Sequence, residues 1–391
     1  MNLPEQAPAP IAAEPVAPQP PAAPTEPSGD RPVRWARMLT FAALAPLGYL
    51  LQRICAGNPE QTEAIYSRGI YPYIQSGLAA VAELSPVAIG ESLLLASLAW
   101  IAWRLFRGAL GWWRGRRTAR NLLLHVVAQA AATFGVLALL FQLLWGLNHA
   151  RLPFARQLGL QTEASQPARL ARVVLKLAHR AAAVRPPGLV GDQPFLAADW
   201  RRRIGEAYDI AGAELPVLQG PRPTIRRAWI SRVMTLGSIT GIYSPFTGEP
   251  NVNAHAIELM QPFVACHEVA HLRGYAREDE ADFIAWYVGS RSPDPTIAYS
   301  CELIAYRIAM HQLMNADAIA AILLRQQLPR EVLGDNLAID SFWDGQPRAV
   351  SHVVTQIART SNDIYLKSSG HADGVNSYGR MVDLLIAHFE R

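Results

Sequence analysis

The chain has 391 residues, of which half are hydrophobic and only 17% charged, with a formal net charge of +4. It is long enough for one or two domains with a sizeable core, and its charged fraction lies below the soluble norm of about 25% because a few dense apolar runs dilute it. The charge is modest, and Arg clusters beside those runs, which reads as membrane topology and gives a nucleic-acid partner little support. Cys55, Cys266 and Cys301 are odd in number and form no CxxC, so they give neither a disulfide framework nor a cysteine metal site.

Residues 1–30 hold nine prolines among Ala, Gln and Glu. Such a composition buries too little apolar surface to offset its ordering entropy, and residues 1–33 are expected to be a disordered cytoplasmic tail. Three apolar runs follow, at about 38–54, 87–106 and 122–147. Each approaches the roughly 20 residues that a helix needs to cross a bilayer. The leader before the first run is too long for a signal peptide, and Ile54 stands where a lipoprotein would need a small residue before Cys55, so the run is expected to be an anchor. Arg31, Arg34 and Arg37 precede the first span. Arg104, Arg107, Arg114, Arg116, Arg117 and Arg120 cluster around the loop between the second and third, whereas only Arg53 and Arg68 lie between the first and second. The asymmetry puts the tail and the second loop in the cytoplasm. A membrane domain over 34–148 is therefore expected, with residues 149–391 extracytoplasmic. Glu91, near the outer end of the second span, reads as an acid snorkelling to the interface or as a functional intramembrane acid.

Helical spacing of apolar residues marks 167–184 and 196–210, with Pro186, Pro187 and Gly188 as a loop between them. Residues 228–243 are β-branched and aromatic, which predicts two short strands, followed by a turn at 245–250 and an extended piece at 251–253. Helices are expected over 261–273, with Gly274 as terminator, and over 277–289, 297–314, 316–325 and 376–390. The fold class is thus mainly α: three transmembrane helices followed by an α+β domain with a small sheet.

The helix over 261–273 carries His267-Glu268-Val269-Ala270-His271, an HExxH sequence. Residues four apart on a helix lie one turn apart on nearly the same side, so both imidazoles can reach one ion. Glu268 projects beside them, close enough to hold a water without ligating. Cys266 points about 100° away from His267 and reads as a buried structural thiol. Neutral imidazoles suit Zn²⁺, which needs a third protein ligand and an open fourth position for catalysis. Downstream, Arg277-Glu278-Asp279-Glu280-Ala281-Asp282-Phe283-Ile284-Ala285 puts Glu278 and Asp282 one turn apart, with Ala281 and Ala285 leaving room for close packing. Glu278 is then the third ligand and Asp282 the acceptor for the other ring N–H of a ligand His, with Glu280 the competing third ligand. A single His or an acidic helix start is ordinarily structural; together within sixteen residues they make a metal site.

The HExxH and the following ExxADxxA over 278–285 resemble the gluzincin metallopeptidases, whose pattern is HExxH followed by a helix carrying ExxxD. More loosely, GIYSPFTGEPNVN before the motif and YLKSSGHADGVNSYGRMVDLL near the end look like an uncharacterised bacterial membrane family of three-span HExxH proteins. Only six residues separate His271 from Glu278, fewer than in many gluzincins, and Arg277 stands where the third His of a metzincin would fall.

The resemblance implies a zincin-like domain that hydrolyses peptide bonds, with Zn²⁺ as cofactor, Glu268 as general base and a peptide or protein of the bacterial cell envelope as substrate. It also implies that 251–253 is an edge strand pairing with substrate backbone. His371, Tyr378 and Arg380, in a Gly-rich stretch, are the candidate donors to a transition-state oxyanion, with His255 a weaker one. The rival from another class is a catalytically silent membrane sensor or scaffold that keeps zinc for structure.

Overall fold

The structure is a computed structural model and describes residues 35–115, 118–163, 165–189, 197–347 and 380–391. The Pro-rich tail, His371 and Tyr378 lie outside those residues. Among the described residues the fold is mainly helical, with three candidate membrane-spanning helices and one small three-stranded sheet.

The candidate spans are α1 (Trp35–Ala56), α3 (Ile89–Trp113) and α4 (Ala119–Leu144), of 22, 25 and 26 residues. Their large side chains point outward, among them Leu93, Leu98, Trp100, Ile101, Leu123, Val127 and Phe134. The buried face of α4 is made of Ala128, Ala132 and Gly135, on which α1 packs. Small residues inside and bulky apolar ones outside is the pattern expected where the surroundings are lipid.

The segment between the first two spans is not a simple loop. Residues Pro59–Gln61 and the π-helical stretch Thr62–Ile70 lead into α2 (Tyr71–Leu84). Tyr66 and Tyr71 turn inward and join Trp145, Leu147, Tyr243, Leu272 and Ala276 in a small apolar cluster. Burial of a large aromatic side chain contributes on the order of 4 kcal/mol, so this cluster binds the segment firmly to the part of the chain beyond residue 150.

That part is built from α5 (Pro167–Val184), α6 (Trp200–Glu214), α7 (Ser231–Leu236), α8 (Gln261–Leu272), α9 (Glu278–Gly289), α10 (Pro295–Ala316), α11 (Ala318–Arg325), α12 (Arg330–Asp344) and α13 (Arg380–Phe389). The long α10 lies along α5, and Trp200, Tyr208, Phe283, Trp286, Tyr299 and Tyr306 fill the core between them and their neighbours. Asp294 caps α10 by accepting from the Thr296 N–H at 2.8 Å, and Pro295 opens the helix where a missing N–H costs nothing.

The sheet has the order β1 (Arg226–Arg227), β3 (Glu249–Val252), β2 (Gly241–Ser244), with β1 parallel and β2 antiparallel to β3. Two expectations fail here. Only the second of the two strands expected over 228–243 exists; the first half is α7. Its approach is set from a distance, because the Glu91 carboxylate accepts from the N–H of Trp229 at 2.7 Å and of Ile230 at 3.3 Å. Glu91 itself is buried as the acceptor for those two amides. The segment at 251–253 is also not an edge, since β3 is the central strand and both its sides are paired. Among the described residues, the edge strand beside the HExxH helix is β2.

Candidate metal centre

Helix α8 ends at a Schellman turn. Gly274, at φ +80°, occupies the left-handed region that favours glycine, and Gly274 N–H donates to His271 O at 2.9 Å while Tyr275 N–H donates to Ala270 O at 3.1 Å. The turn aims the Tyr275 carbonyl back at the helix, 2.7 Å from His271 Nδ1. His267 Nδ1 is held in the same way by Asp282 Oδ1, also at 2.7 Å. With both Nδ1 atoms engaged, both Nε2 atoms face inward. His267 Nε2 lies 3.2 Å and His271 Nε2 3.8 Å from Glu278 Oε2, and the ring centroids are 4.6 Å apart. Three ligand atoms of His267, His271 and Glu278 lie within 4.8 Å of one another, a set that can hold a metal ion. Glu278 retains 20% of its side-chain exposure, which leaves the cluster open on one side.

The electrostatics follow the geometry. Burial opposes the charged imidazole, but the Asp282 and Glu278 carboxylates hold His267 well above the ordinary histidine range. Burial likewise opposes the Glu278 carboxylate, and the hydrogen bonds and charges of the two histidines bring it well below the usual value. His267 and Glu278 thus favour each other's charged form across their 3.2 Å contact.

Glu268 is buried beside the two histidines, and burial pushes its carboxyl up to about 7 against the pull of both imidazoles. Its position is enforced by Gly241 at the start of β2: a Cβ there would stand 2.4 Å from Glu268 Oε1.

Glu280 points elsewhere. It accepts from the Phe154 N–H at 2.8 Å and faces Arg277, so the structure brings Glu278 and not Glu280 to the histidines. Of the other sequence candidates, Arg380 opens α13, where its charge acts on Asp279, and His255 contacts Thr235 and Phe342 instead of the cluster. Cys266 and Cys301 are free and fully buried.

The end of α8 is completed by residues that the sequence does not mark. Trp145, just past α4, donates through Nε1 to His271 O at 2.8 Å and sets its ring edge-on to the His271 imidazole. Tyr71 donates to Leu272 O at 2.9 Å. Arg151 donates from Nη1 to Arg273 O and Gly274 O at 3.2 and 3.1 Å, and pairs twice with Glu63 at 2.8 and 2.9 Å. Its guanidinium also lies 4.0 Å over the Tyr275 ring. The orphan carbonyls of the helix end are thus satisfied from the membrane segments and their borders. Spacing carries no trace of these partners, which are 122 to 201 residues distant for Arg151, Trp145 and Tyr71.

Three candidate membrane-spanning helices joined to a helical domain with a histidine–carboxylate cluster define a membrane protein with a candidate metal centre. The chain belongs to a family described as Protein of unknown function (DUF3810), whose profile matches residues 66–386 and so includes α2, two of the spans and the whole cluster. No curated protein and no solved structure matches the chain.

Proposed function

We propose that this protein is a membrane-anchored zinc-dependent peptidase of the bacterial cytoplasmic membrane, with its catalytic domain extracytoplasmic and acting on peptides or proteins of the cell envelope. The observation that carries the reading is the convergence of His267 Nε2, His271 Nε2 and Glu278 Oε2 while Asp282 and the Tyr275 carbonyl hold both Nδ1 atoms. That arrangement fixes the tautomers which a neutral two-histidine, one-carboxylate zinc set requires. Zinc, when bound, would acidify a water and polarise a carbonyl. Glu268, buried beside the two histidines, would then take the proton of the attacking water and pass it to the leaving amine. The open edge of β2 offers backbone groups to an extended substrate next to Glu268.

The second reading, a catalytically silent sensor or scaffold that keeps zinc for structure, draws on the same buried set, in which His267 is tied to both Glu278 and Asp282 of α9. Metal analysis of the purified full chain tests the ligand set that both readings share. About one zinc per chain is expected, lost in His267→Ala and Glu278→Ala and kept in Glu280→Ala. Retention in Glu278→Ala with loss in Glu280→Ala would move the third ligand two residues on.

The topology rests on the Arg distribution. An alkaline phosphatase fusion after residue 160 should be active and one within 108–120 inactive; the reverse pattern would overturn the extracytoplasmic placement.

A further inference from the structure

Helix α3 has 25 residues, and its far end carries Arg104, Arg107, Trp112 and Trp113. Counting about 20 residues back from Arg107 to span a hydrocarbon core reaches the start of the helix, so Ile89, Gly90 and Glu91 stand at the membrane boundary. This first turn is clasped from both sides. Glu91 accepts from the N–H of Trp229 and Ile230, and Glu249 accepts from the N–H of Ile89 at 2.9 Å and Gly90 at 2.7 Å. Ser244, at the end of β2, packs directly on Gly90. The residues around Trp229 and the 244–247 turn are therefore held at the same depth as the helix start.

Those residues are unusually apolar for a surface that would otherwise meet water. Trp229 is 55%, Val233 60% and Phe246 40% exposed. Arg227 and Arg232 are exposed beside them and have no acidic partner among the described residues. Aromatic and aliphatic side chains interleaved with unpaired arginines are what the headgroup region of an anionic bilayer accommodates.

We propose that the face formed by Trp229, Arg232, Val233 and Phe246 rests in the headgroup layer of the bilayer that α3 crosses. The candidate centre is then at the membrane surface. From Ser244 against Gly90 to Gly241 against Glu268 is one four-residue strand, about 10 Å. At the other end of the domain contact, Trp145 ties α4 to His271 itself. Resting on the peptidase reading, the preferred substrate is a polypeptide segment next to its own membrane anchor.

Site-directed spin labelling of the full chain in phosphatidylcholine–phosphatidylglycerol vesicles tests the contact. Labels are placed singly at Val233→Cys and Phe246→Cys in a Cys55→Ser background, with Arg172→Cys on the charged face of α5 as the aqueous reference. Oxygen should relax the labels at 233 and 246 more effectively than a water-soluble nickel chelate, and the reverse should hold at 172. Chelate accessibility at 233 and 246 equal to that at 172 overturns the proposal. So does shielding from both reagents with spin–spin broadening, which would mean a second copy of the chain covers the face. The substrate arm compares one cleavable peptide free and tethered to vesicle lipid, and the tethered form should be cut at least about tenfold faster through its higher local concentration. Equal rates overturn the substrate class, whereas no cleavage of either form counts against the peptidase reading and leaves the depth result standing.

Discussion

Glu268→Gln should leave zinc content and folding nearly intact while lowering peptide turnover by about 10² to 10⁴, the usual effect of removing a positioned proton acceptor. Glu268 is not among the three converging ligand atoms, so metal affinity does not depend on its charge. Gln has nearly the same shape, which matters because Gly241 and Val264 leave the side chain little freedom. Burial holds the Glu268 carboxyl near 7, poised to exchange a proton near neutrality, and an amide cannot do so. The measurement is cleavage of a diverse peptide pool by both proteins at matched zinc occupancy. A wild type that cleaves nothing, or equal turnover by both proteins, would sink the hydrolase reading and favour the structural one.

Arg151→Met should destabilise the protein by about 3–5 kcal/mol, the range found when one partner of a buried ion pair is removed. The Arg151 side chain is only 3% exposed, and its loss leaves the buried Glu63 with the largely exposed Arg68 alone and uncaps Arg273 O and Gly274 O in one step. Thermal unfolding in detergent should fall on the order of 5 °C for a chain of this size. A Glu63→Leu, Arg151→Met double variant should recover part of the loss, because no buried carboxylate is then left behind. The pair also sets an acid limit. Burial raises the Glu63 carboxyl, but the hydrogen bonds and charges of Arg151 and Arg68 outweigh it and bring it below its ordinary 4.5. Its contribution is therefore complete above about pH 4.5 and is lost as pH falls through the lower folded value. An unchanged melting temperature in Arg151→Met would refute this account of the joint.

What the sequence made legible was what repeats locally. Helical spacing located α5 to the residue, the Gly274 terminator, and the one-turn separation of Glu278 and Asp282. What it concealed depends on contacts between distant segments. Residues 228–236 have β-branched and aromatic composition, yet the Glu91 carboxylate organises the entry to a helix there. Helix α12 has Gly334, Asp335 and Asn336 within it, which weakens its helical signature, but Asp335 is held by Arg185 at 2.8 Å and by the Tyr299 hydroxyl. The choice between Glu278 and Glu280 turned on which carboxylate the Phe154 amide occupies, a fact that no spacing rule contains. Tyr71, Trp145 and Arg151 resemble ordinary membrane-border residues until the carbonyls they cap are seen.

The capping of α8 from the membrane segments has a consequence for biosynthesis. Tyr71 emerges from the ribosome 201 residues before Leu272, whose carbonyl it satisfies, and Glu63 emerges 88 residues before Arg151. At about 5–20 residues per second the first interval lasts on the order of 10–40 s. During that time Tyr71 waits beside the bilayer without the carbonyl it will cap, and for the first part of it Glu63 waits for Arg151. Nascent chains arrested before residue 151 should therefore be the ones most exposed to membrane quality-control proteases, with protection rising in two steps, first as Arg151 and then as the Gly274 turn clears the translocation machinery.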